Sequence, residues 1–215
     1  MRQDGGESSG KPRGVNIARR RLSAAAMFND LSTPLSALAT RRSGKPRDLA
    51  APGPDAGQLA QILAVAMRTP DHGKLAPWRF VVIDDRDAFA TLLSEAYLAE
   101  RPDAKRLELE AVDQFARQAP VAIVALSSPR PDSHIPLWEQ QLSAGAACMN
   151  LLHAAHALGF AGGWLTGWAA YSDRVRDAFG AEPERIAGFL FLGTPGKELS
   201  ERPRPDPAQV ARHWP

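Results

Sequence analysis

The longest helix predicted in this chain runs from Leu137 to Leu158 and ends at Gly159, which can serve as its C-cap. At its centre, residues 143–147 read SAGAA. Side chains this small let another backbone approach closely. We therefore expect this helix at the centre of a domain, at a subunit interface, or at both, with the shorter elements packed around it.

Shorter helices and strands alternate along the rest of the chain. From Ser32 a helix is predicted, because Thr33 can cap it and Pro34 suits its first turn. Apolar spacing predicts further helices at 55–67, 87–97 and 172–179, and a solvated helix with a thin apolar stripe, the best candidate for a mobile lid, at 100–118. Continuous apolar runs predict buried strands at 79–83, 121–126 and 186–192. This alternation by itself suggests an α/β layer whose loops present polar groups to a ligand.

The mildly basic charge balance is confined to the start of the chain. Residues 1–21 hold six basic and two acidic side chains, and the remainder holds 20 basic and 22 acidic ones. We expect residues 1–30 to form a disordered basic extension and residues 31–215 to form one domain with an extended, proline-rich C-terminal tail. A nucleic-acid-binding role would rest on the extension alone, so no nucleic-acid partner is predicted.

Cysteine content and hydropathy argue against a disulfide-bonded protein and against a membrane-spanning one. Cys148 is the only cysteine and lies in an apolar run, so a packed thiol is expected rather than a disulfide or a nucleophile. No apolar run approaches the roughly 20 residues needed to span a bilayer. Arg19–Arg21 imitate a secretory signal, but the apolar part that follows is short, so a cytoplasmic location is expected.

A cationic pair, Arg41 and Arg42, ends the first helix and is followed by Ser43 and Gly44. As structural residues, the arginines stabilise the negative end of the helix macrodipole. As ligand-binding residues, two guanidinium groups beside a hydroxyl would bind a phosphate or another anion. The spacing leaves both readings open.

The stretch from Met67 to Asp84 joins a helix end at Arg68, a polar loop that contains His72, and a strand that opens at Trp78. No partner for His72 can be identified from the sequence. His153 and His156 share one helix face but lack further ligands at metal-binding spacing, so no metal site is predicted.

Glycines and tryptophans alternate over residues 160–170, FAGGWLTGWAA. Trp78, Trp164 and Trp168 could stack on a planar ring or pack in the core. Neither GxGxxG after a strand, nor a P-loop, nor GxSxG occurs, which disfavours a Rossmann nucleotide site, a P-loop and a serine hydrolase. The residues alone predict a soluble domain that could bind a planar, phosphate-bearing ligand.

Short motifs between residues 31 and 206 stand in a fixed order: RRS at 41–43, MRTPDH at 67–72, PW at 77–78, WEQ at 138–140, SAG at 143–145, GF at 159–160, GxW at 162–164, AFG at 178–180, GFL at 188–190 and LGTP at 192–195. Together they resemble the nitroreductase family of FMN-dependent oxidoreductases. The likeness is greatest to the family's short, single-domain NAD(P)H nitroreductase branch.

The resemblance implies an α+β fold with a mostly antiparallel central sheet flanked by helices, in a homodimer with FMN at the interface. It implies that Arg41, Arg42 and Ser43 contact the FMN phosphate and the polar edge of the ring. Arg68 and His72 would reach the FMN of the other subunit. The long helix would lie at the dimer interface.

A second set of implied contacts comes from the loop after the long helix, where Trp164, Leu165 and Thr166 would line the flavin. The branch usually has Trp-Arg-Ser here, so Leu165 removes a cationic contact. The helix end at Ala154–Gly159 corresponds to the region that meets the nicotinamide nucleotide, which makes Gly159 a further candidate.

The implied activity is hydride transfer from NAD(P)H through FMN to a nitroaromatic, a quinone or a similar small-molecule acceptor. FMN would carry the electrons, so no catalytic side chain is predicted. A flavin-binding or flavin-sequestering module with little turnover is the alternative, since Leu165 departs from the branch pattern.

Overall fold

The computed structural model describes residues 28–214. Its helices are Pro34–Thr40 (α1), Ala56–Ala66 (α2), Arg86–Glu100 (α3), Arg106–Arg117 (α4), Leu137–Ala157 (α5), Trp168–Tyr171 (α6), Asp173–Asp177 (α7) and Pro207–Val210 (α8). Its strands are Leu49–Ala50 (β1), Trp78–Val82 (β2), Val121–Ser127 (β3), Ala161–Leu165 (β4) and Arg185–Pro195 (β5). Short 3-10 turns occupy Pro46–Asp48 and His72–Lys74.

The sheet is organised around β5, which pairs with β1, β3 and β4, while β2 pairs with β3. Each of these pairings is antiparallel; Val124 of β3, for example, lies opposite Phe189 of β5. An antiparallel sheet with helices packed on it confirms the α+β architecture that the family resemblance implied. The α/β layer suggested by element order alone is wrong, because the order of elements does not define the direction in which strands pair.

Helices cover both faces of β5. Phe189 and Phe191 belong to one apolar cluster with residues of α3 and α4, and Leu190 and Leu192 belong to another with residues of α2 and α5. All four side chains are fully buried. Burial on both faces explains why this strand is a continuous apolar run rather than an alternating one.

The long helix α5 packs against the sheet as its small residues predicted. Ala144 and Ala147 are buried against Trp78 at the start of β2, and Leu151 is buried in the cluster shared with α2. Although α5 has 21 residues, neither it nor another helix within residues 28–214 is apolar enough to cross a membrane.

The capping residues identified in the sequence predicted the starts of most helices correctly. Thr33 accepts a hydrogen bond from the Ser36 N–H at the start of α1, and Asp55 forms a capping box with Gln58 at the start of α2. Ser172 caps α7 by accepting from the Val175 N–H.

Three features of the sheet differ from the sequence-based expectation. The buried-strand prediction for residues 79–83 is wrong in its burial, because β2 is an edge strand and its residues after Trp78 are half-buried or exposed. The strands β1 and β4 were not predicted. β1 has two residues in a proline-rich linker, and β4 contains two glycines, which give no apolar run.

Residues 1–27, which carry nearly all of the expected disordered extension, lie outside the described residues. Residues 28–30 are described and contact the domain. The Asn29 side chain donates to the His156 carbonyl oxygen (2.6 Å), and the Asp30 N–H donates to Thr40 Oγ1 (2.8 Å). Phe28 packs beside Leu49 and Leu199.

Candidate functional site

The loop after α1 lies against the glycines of β4. Arg41 follows the last residue of α1 with extended backbone angles, so the chain leaves the helix axis there. The Gly44 N–H then donates to the Gly162 carbonyl oxygen (2.9 Å). A Cβ on Gly163 would lie 2.6 Å from the Gly44 oxygen, so the approach requires glycine at this position. This contact brings Arg41–Ser43 beside the strand that leads to Trp164–Thr166.

Both arginines of this loop interact with the C-terminal segment. Arg42 donates from Nη1 to the Leu199 carbonyl oxygen (3.1 Å) and from Nε to Glu201 (3.2 Å), and only 14% of its side chain is exposed. Burial lowers the pKa of Arg41, and the positive charge of nearby Arg204 lowers it further. An accumulation of cations around one carboxylate, Glu201, favours the binding of a further anion.

A basic cleft of about 370 Å³ opens beside Ser43. We define it by Ser43 and by its four cationic side chains, Lys45, Arg47, Lys197 and Arg202. Asp48 and Glu198 also line it, and Lys197 pairs with Asp48 at 2.7 Å, so the cations outnumber the carboxylates. The motif at 41–43 did not identify these four cations. Two of them continue the cationic run RRSGKPR at 41–47, a signal that the sequence does contain, whereas Lys197 and Arg202 approach only through the fold.

Trp164, near the end of β4, lies with its side chain over the neighbouring strand β5. Its Nε1 donates to the Ala187 carbonyl oxygen (3.0 Å), and its ring lies over Gly188, where a Cβ would collide with it. The ring extends toward Gly145 of α5, and 38% of the residue is exposed. The sequence left stacking and core packing open for this tryptophan. In the structure, the Trp164 ring is partly exposed, and its hydrogen bond to Ala187 and its contact with Gly188 fix its orientation.

The two residues after Trp164 lie in different environments. Leu165 packs against the core cluster that contains Phe189. Thr166 is exposed in the loop that leads to α6. A leucine here therefore stabilises the core, and it leaves the cationic contacts of the site to other residues.

One face of α5 fixes the loop that contains Arg68 and His72. The Asn150 side chain donates to the Arg68 carbonyl oxygen (3.1 Å), and Ser143 Oγ donates to the Pro70 carbonyl oxygen (2.6 Å). Glu139 Oε2 lies 2.7 Å from His72 Nδ1. The expectation that His72 has no partner is wrong, because Glu139 is 67 residues away in sequence and reaches His72 only through the packing of α5.

His72 and Glu139 line a second cavity of about 300 Å³, together with Gln140, Leu142 and Ser143. We call it the histidine cleft. The buried side chain of Gln140 is fixed by Arg130: Gln140 Oε1 accepts from the Arg130 N–H (2.8 Å), and Gln140 Nε2 donates to the Arg130 carbonyl oxygen (3.2 Å). The histidine cleft differs from the basic cleft in polarity, because none of the described residues that line it is a lysine or an arginine.

The histidine cleft and the basic cleft are far apart within one subunit. His72 contacts Glu139, whereas the carbonyl oxygen of Arg42 contacts His156 Nε2 at 3.1 Å. Glu139 and His156 are 17 residues apart on one helix, which corresponds to about 25 Å at 1.5 Å per residue. The structure thus brings the loop that follows Arg41–Ser43 against β4, the strand that leads to Trp164–Thr166, but does not bring His72 to that loop.

The C-terminal end of α5 offers little surface. Ala154, Ala155 and His156 are buried, and Gly159 lies in the exposed turn after the helix with φ +88°. Burial lowers the pKa of both His153 and His156. Within residues 28–214, no group of three His, Cys, Asp or Glu side chains is arranged to hold a metal ion.

Cys148 of α5 is buried in the apolar cluster shared with α2, and burial raises the pKa of its thiol to about 12. A thiol that holds its proton this tightly does not act as a nucleophile near neutral pH. The packed-thiol prediction is confirmed.

Comparisons with known proteins agree with the fold and with the order of motifs. The sequence model described as "Nitroreductase family" matches residues 38–194. A protein of Escherichia coli K12, "Putative NAD(P)H nitroreductase YdjA", is 39% identical over 184 residues, which cover 84% of this chain and 98% of that protein.

Two solved structures share the fold. A nitroreductase-like family protein from Bacillus cereus superposes with a TM-score of 0.72 at 19% identity, covering 85% of this chain and 96% of that one. A protein from Desulfovibrio desulfuricans, described as "a putative nitroreductase in complex with fmn", superposes with a TM-score of 0.65 at 23% identity, with the same coverage of both chains. The match of the family model over most of the chain confirms the resemblance: this chain belongs to the nitroreductase family.

Proposed function

We propose that this protein is an FMN-dependent oxidoreductase that uses NAD(P)H to reduce a nitroaromatic, a quinone or a similar small acceptor. When bound, FMN would supply the redox chemistry, and the chain would supply binding, orientation and access. The name of the E. coli relative includes NAD(P)H nitroreductase, and the Desulfovibrio structure contains FMN.

One observation carries the assignment: the close contact between Gly44 and Gly163. It holds the loop of Ser43, which lines the basic cleft, against β4, the strand that carries Trp164. FMN has the matching chemistry, since a dianionic phosphate suits the cleft and a planar ring suits the Trp164–Thr166 loop.

The chain departs from the usual Trp-Arg-Ser of its branch at Leu165, and the basic cleft supplies a replacement. Lys45, Arg47 and Arg202 carry positive charge beside Ser43. We infer that these cations, with Arg41 and Arg42, neutralise the phosphate, and that Thr166 keeps the hydroxyl of the motif.

We further propose a homodimer in which His72 and Arg68 contact the FMN of the partner subunit. The separation of about 25 Å along α5 supports this assignment, because His72 lies too far from the basic cleft to share one site with it in the same subunit. Exposed apolar side chains on α1 and around the histidine cleft give a surface that a partner would bury. The most exposed of them are Leu35 (76%), Trp138 (67%) and Leu142 (54%).

The test combines visible absorption, turnover and mass in solution. Purified protein should be yellow, should have the mass of a dimer, and should oxidise NADH or NADPH when a nitroaromatic or a quinone is present. Arg68→Ala should weaken FMN retention, whereas Arg106→Ala, which removes an exposed cation from α4, should leave it unchanged. Protein that cannot be loaded with FMN would refute the proposal.

FMN uptake without oxidation of either nicotinamide across a panel of acceptors would instead identify a flavin-sequestering module. The cytoplasmic location expected from the sequence stays a prediction.

A further inference from the structure

A third cavity, of about 300 Å³, lies between α3, α4 and the loop that follows β4. We call it the α3–α4 pocket. Leu93 and Tyr97 contribute from α3, Glu108, Ala111, Val112 and Phe115 contribute from α4, and residues 166–169 form the remaining wall. Its volume is at the lower end of the range for small-molecule sites.

The pocket exists because the apolar stripe of α4 is incompletely covered. Positions 108, 111, 112 and 115 follow helical spacing on one face, which would ordinarily pack closely against the neighbouring helix. Ala111, the smallest side chain of this stripe, lines the pocket and is exposed to solvent. Leu107, which lies outside this face, is 71% exposed.

Polar contacts hold the walls of the pocket in place. Tyr97 and Trp168 meet edge to face with ring centroids 4.7 Å apart, and Trp168 Nε1 donates to Glu100 (2.7 Å). At the other end of the helix pair, Arg86 donates to the carbonyl oxygens of Ala116 (2.7 Å) and Ala119 (3.0 Å). These contacts make the pocket a preformed one, and a preformed site lowers the entropic cost of binding.

The lining defines the chemistry of a ligand. Among the ten described residues that line the pocket, Glu108 alone carries a charge. Arg101 is not one of the ten, and its guanidinium is already engaged, since it donates to the Tyr97 hydroxyl (2.8 Å) and lies 5.0 Å from the centre of the Tyr97 ring. Glu108 Oε1 accepts from the Tyr97 hydroxyl (2.9 Å), and Oε2 accepts from the Lys105 N–H (3.0 Å). A carboxylate has about four acceptor positions, so it can accept one more hydrogen bond. The aromatic edges of Tyr97, Phe115 and Trp168 favour a flat ring.

We propose that the α3–α4 pocket binds a small neutral aromatic molecule of one or two fused rings that carries a hydroxyl or amino donor for Glu108. Thr166 belongs both to this wall and to the proposed flavin loop, but the pocket is separate from the basic cleft. The inference does not depend on FMN chemistry, because binding is measured directly.

The test is a calorimetric titration of the purified full-length protein, loaded with whatever cofactor it retains, with 1-naphthol and with 1-naphthalenesulfonate. Naphthol should bind with a dissociation constant on the order of 100 µM. The sulfonate should bind more weakly, by about fivefold, because its negative charge would lie beside the carboxylate of Glu108 and be repelled by it.

Two variants locate the binding site. Ala111→Phe fills the pocket and should weaken naphthol binding by about tenfold or more, since the ring would occupy the ligand volume. Ala99→Phe places the same side chain at an exposed position of α3 outside the pocket and should leave binding unchanged. No binding of naphthol, equal binding of the sulfonate, or naphthol binding that survives Ala111→Phe and perturbs the flavin spectrum would each overturn the proposal.

Discussion

Replacing Glu184 with glutamine removes the charge from a carboxylate that lies at the junction of β2, β3 and the turn before β5. Glu184 accepts from Arg79 Nε (2.7 Å) and Nη2 (2.8 Å), from Ser128 Oγ (2.5 Å) and from the Ala181 N–H (3.1 Å). The group fixes the edge strand β2, which begins at Trp78 directly after the loop of His72. Its loss would therefore loosen the scaffold of the histidine cleft.

The stability lost in Glu184→Gln can be worked out from the pKa of Glu184. Hydrogen bonds from Arg79 hold the pKa of Glu184 at about 2, well below the ordinary value of 4.5. At ~1.4 kcal/mol for each tenfold change in proton affinity, this depression corresponds to about 3 kcal/mol. Since 48% of the Arg79 side chain is exposed, solvent screens part of the interaction, and we expect the variant to lose about 2 kcal/mol.

The sign of the pH dependence is fixed, because the pKa is lowered in the folded state. The stabilisation is fully present above pH 4.5 and is lost as the pH falls from there toward 2. Urea unfolding of wild type and Glu184→Gln should differ by about 2 kcal/mol at pH 7 and by progressively less below pH 4.

The control is Glu95→Gln, which neutralises an exposed carboxylate of α3 and should change stability by less than about 0.5 kcal/mol. The reasoning is wrong if Glu184→Gln loses no more than this control. It is equally wrong if the loss at pH 3.5 is as large as the loss at pH 7.

Three further outcomes follow from individual contacts. Gly163→Ala should displace the loop at Gly44, costing about 1–3 kcal/mol in urea unfolding and reducing FMN retention; unchanged stability would contradict the close contact. Ser143→Ala should cost about 1 kcal/mol by removing the hydrogen bond to the Pro70 carbonyl oxygen, and faster hydrogen exchange in the His72 loop should accompany it. Cys148 should resist iodoacetamide at pH 8 in the native protein and react after unfolding, so rapid native alkylation would refute its burial.

Elements with strong local signals were predictable from sequence alone. A capping threonine before proline at residues 33–34, and an aspartate three residues before a glutamine at 55–58, specify helix starts through contacts within one turn. The run at 186–192 is apolar on both faces and predicted a buried strand. Strand direction was not predictable, because the pairing of β5 with β3 joins residues that are far apart in sequence, from Ser127 with Arg185 to Val121 with Leu192.

The site was predictable only in part, because its charged groups come together through the fold. The cationic run at 41–47 is visible in the sequence, whereas Lys197 and Arg202 approach Ser43 only after the tail packs on the domain. The partner of His72 is likewise found only once α5 is in place. β4 has too few side chains to give a strand pattern, although its glycines are what allow the loop of Gly44 to approach.

FMN binding through the phosphate is the central claim, and a comparison of two ligands tests it most directly. FMN and riboflavin, which lacks the phosphate, would each be titrated with cofactor-free wild-type protein and with Arg47→Ala, and binding would be followed by flavin fluorescence. We predict one FMN per subunit, weaker binding of riboflavin, and about a tenfold loss of FMN affinity in the variant with riboflavin affinity unchanged. Equal affinity of the wild-type protein for FMN and riboflavin, or FMN binding that Arg47→Ala leaves unchanged, would contradict the proposed site.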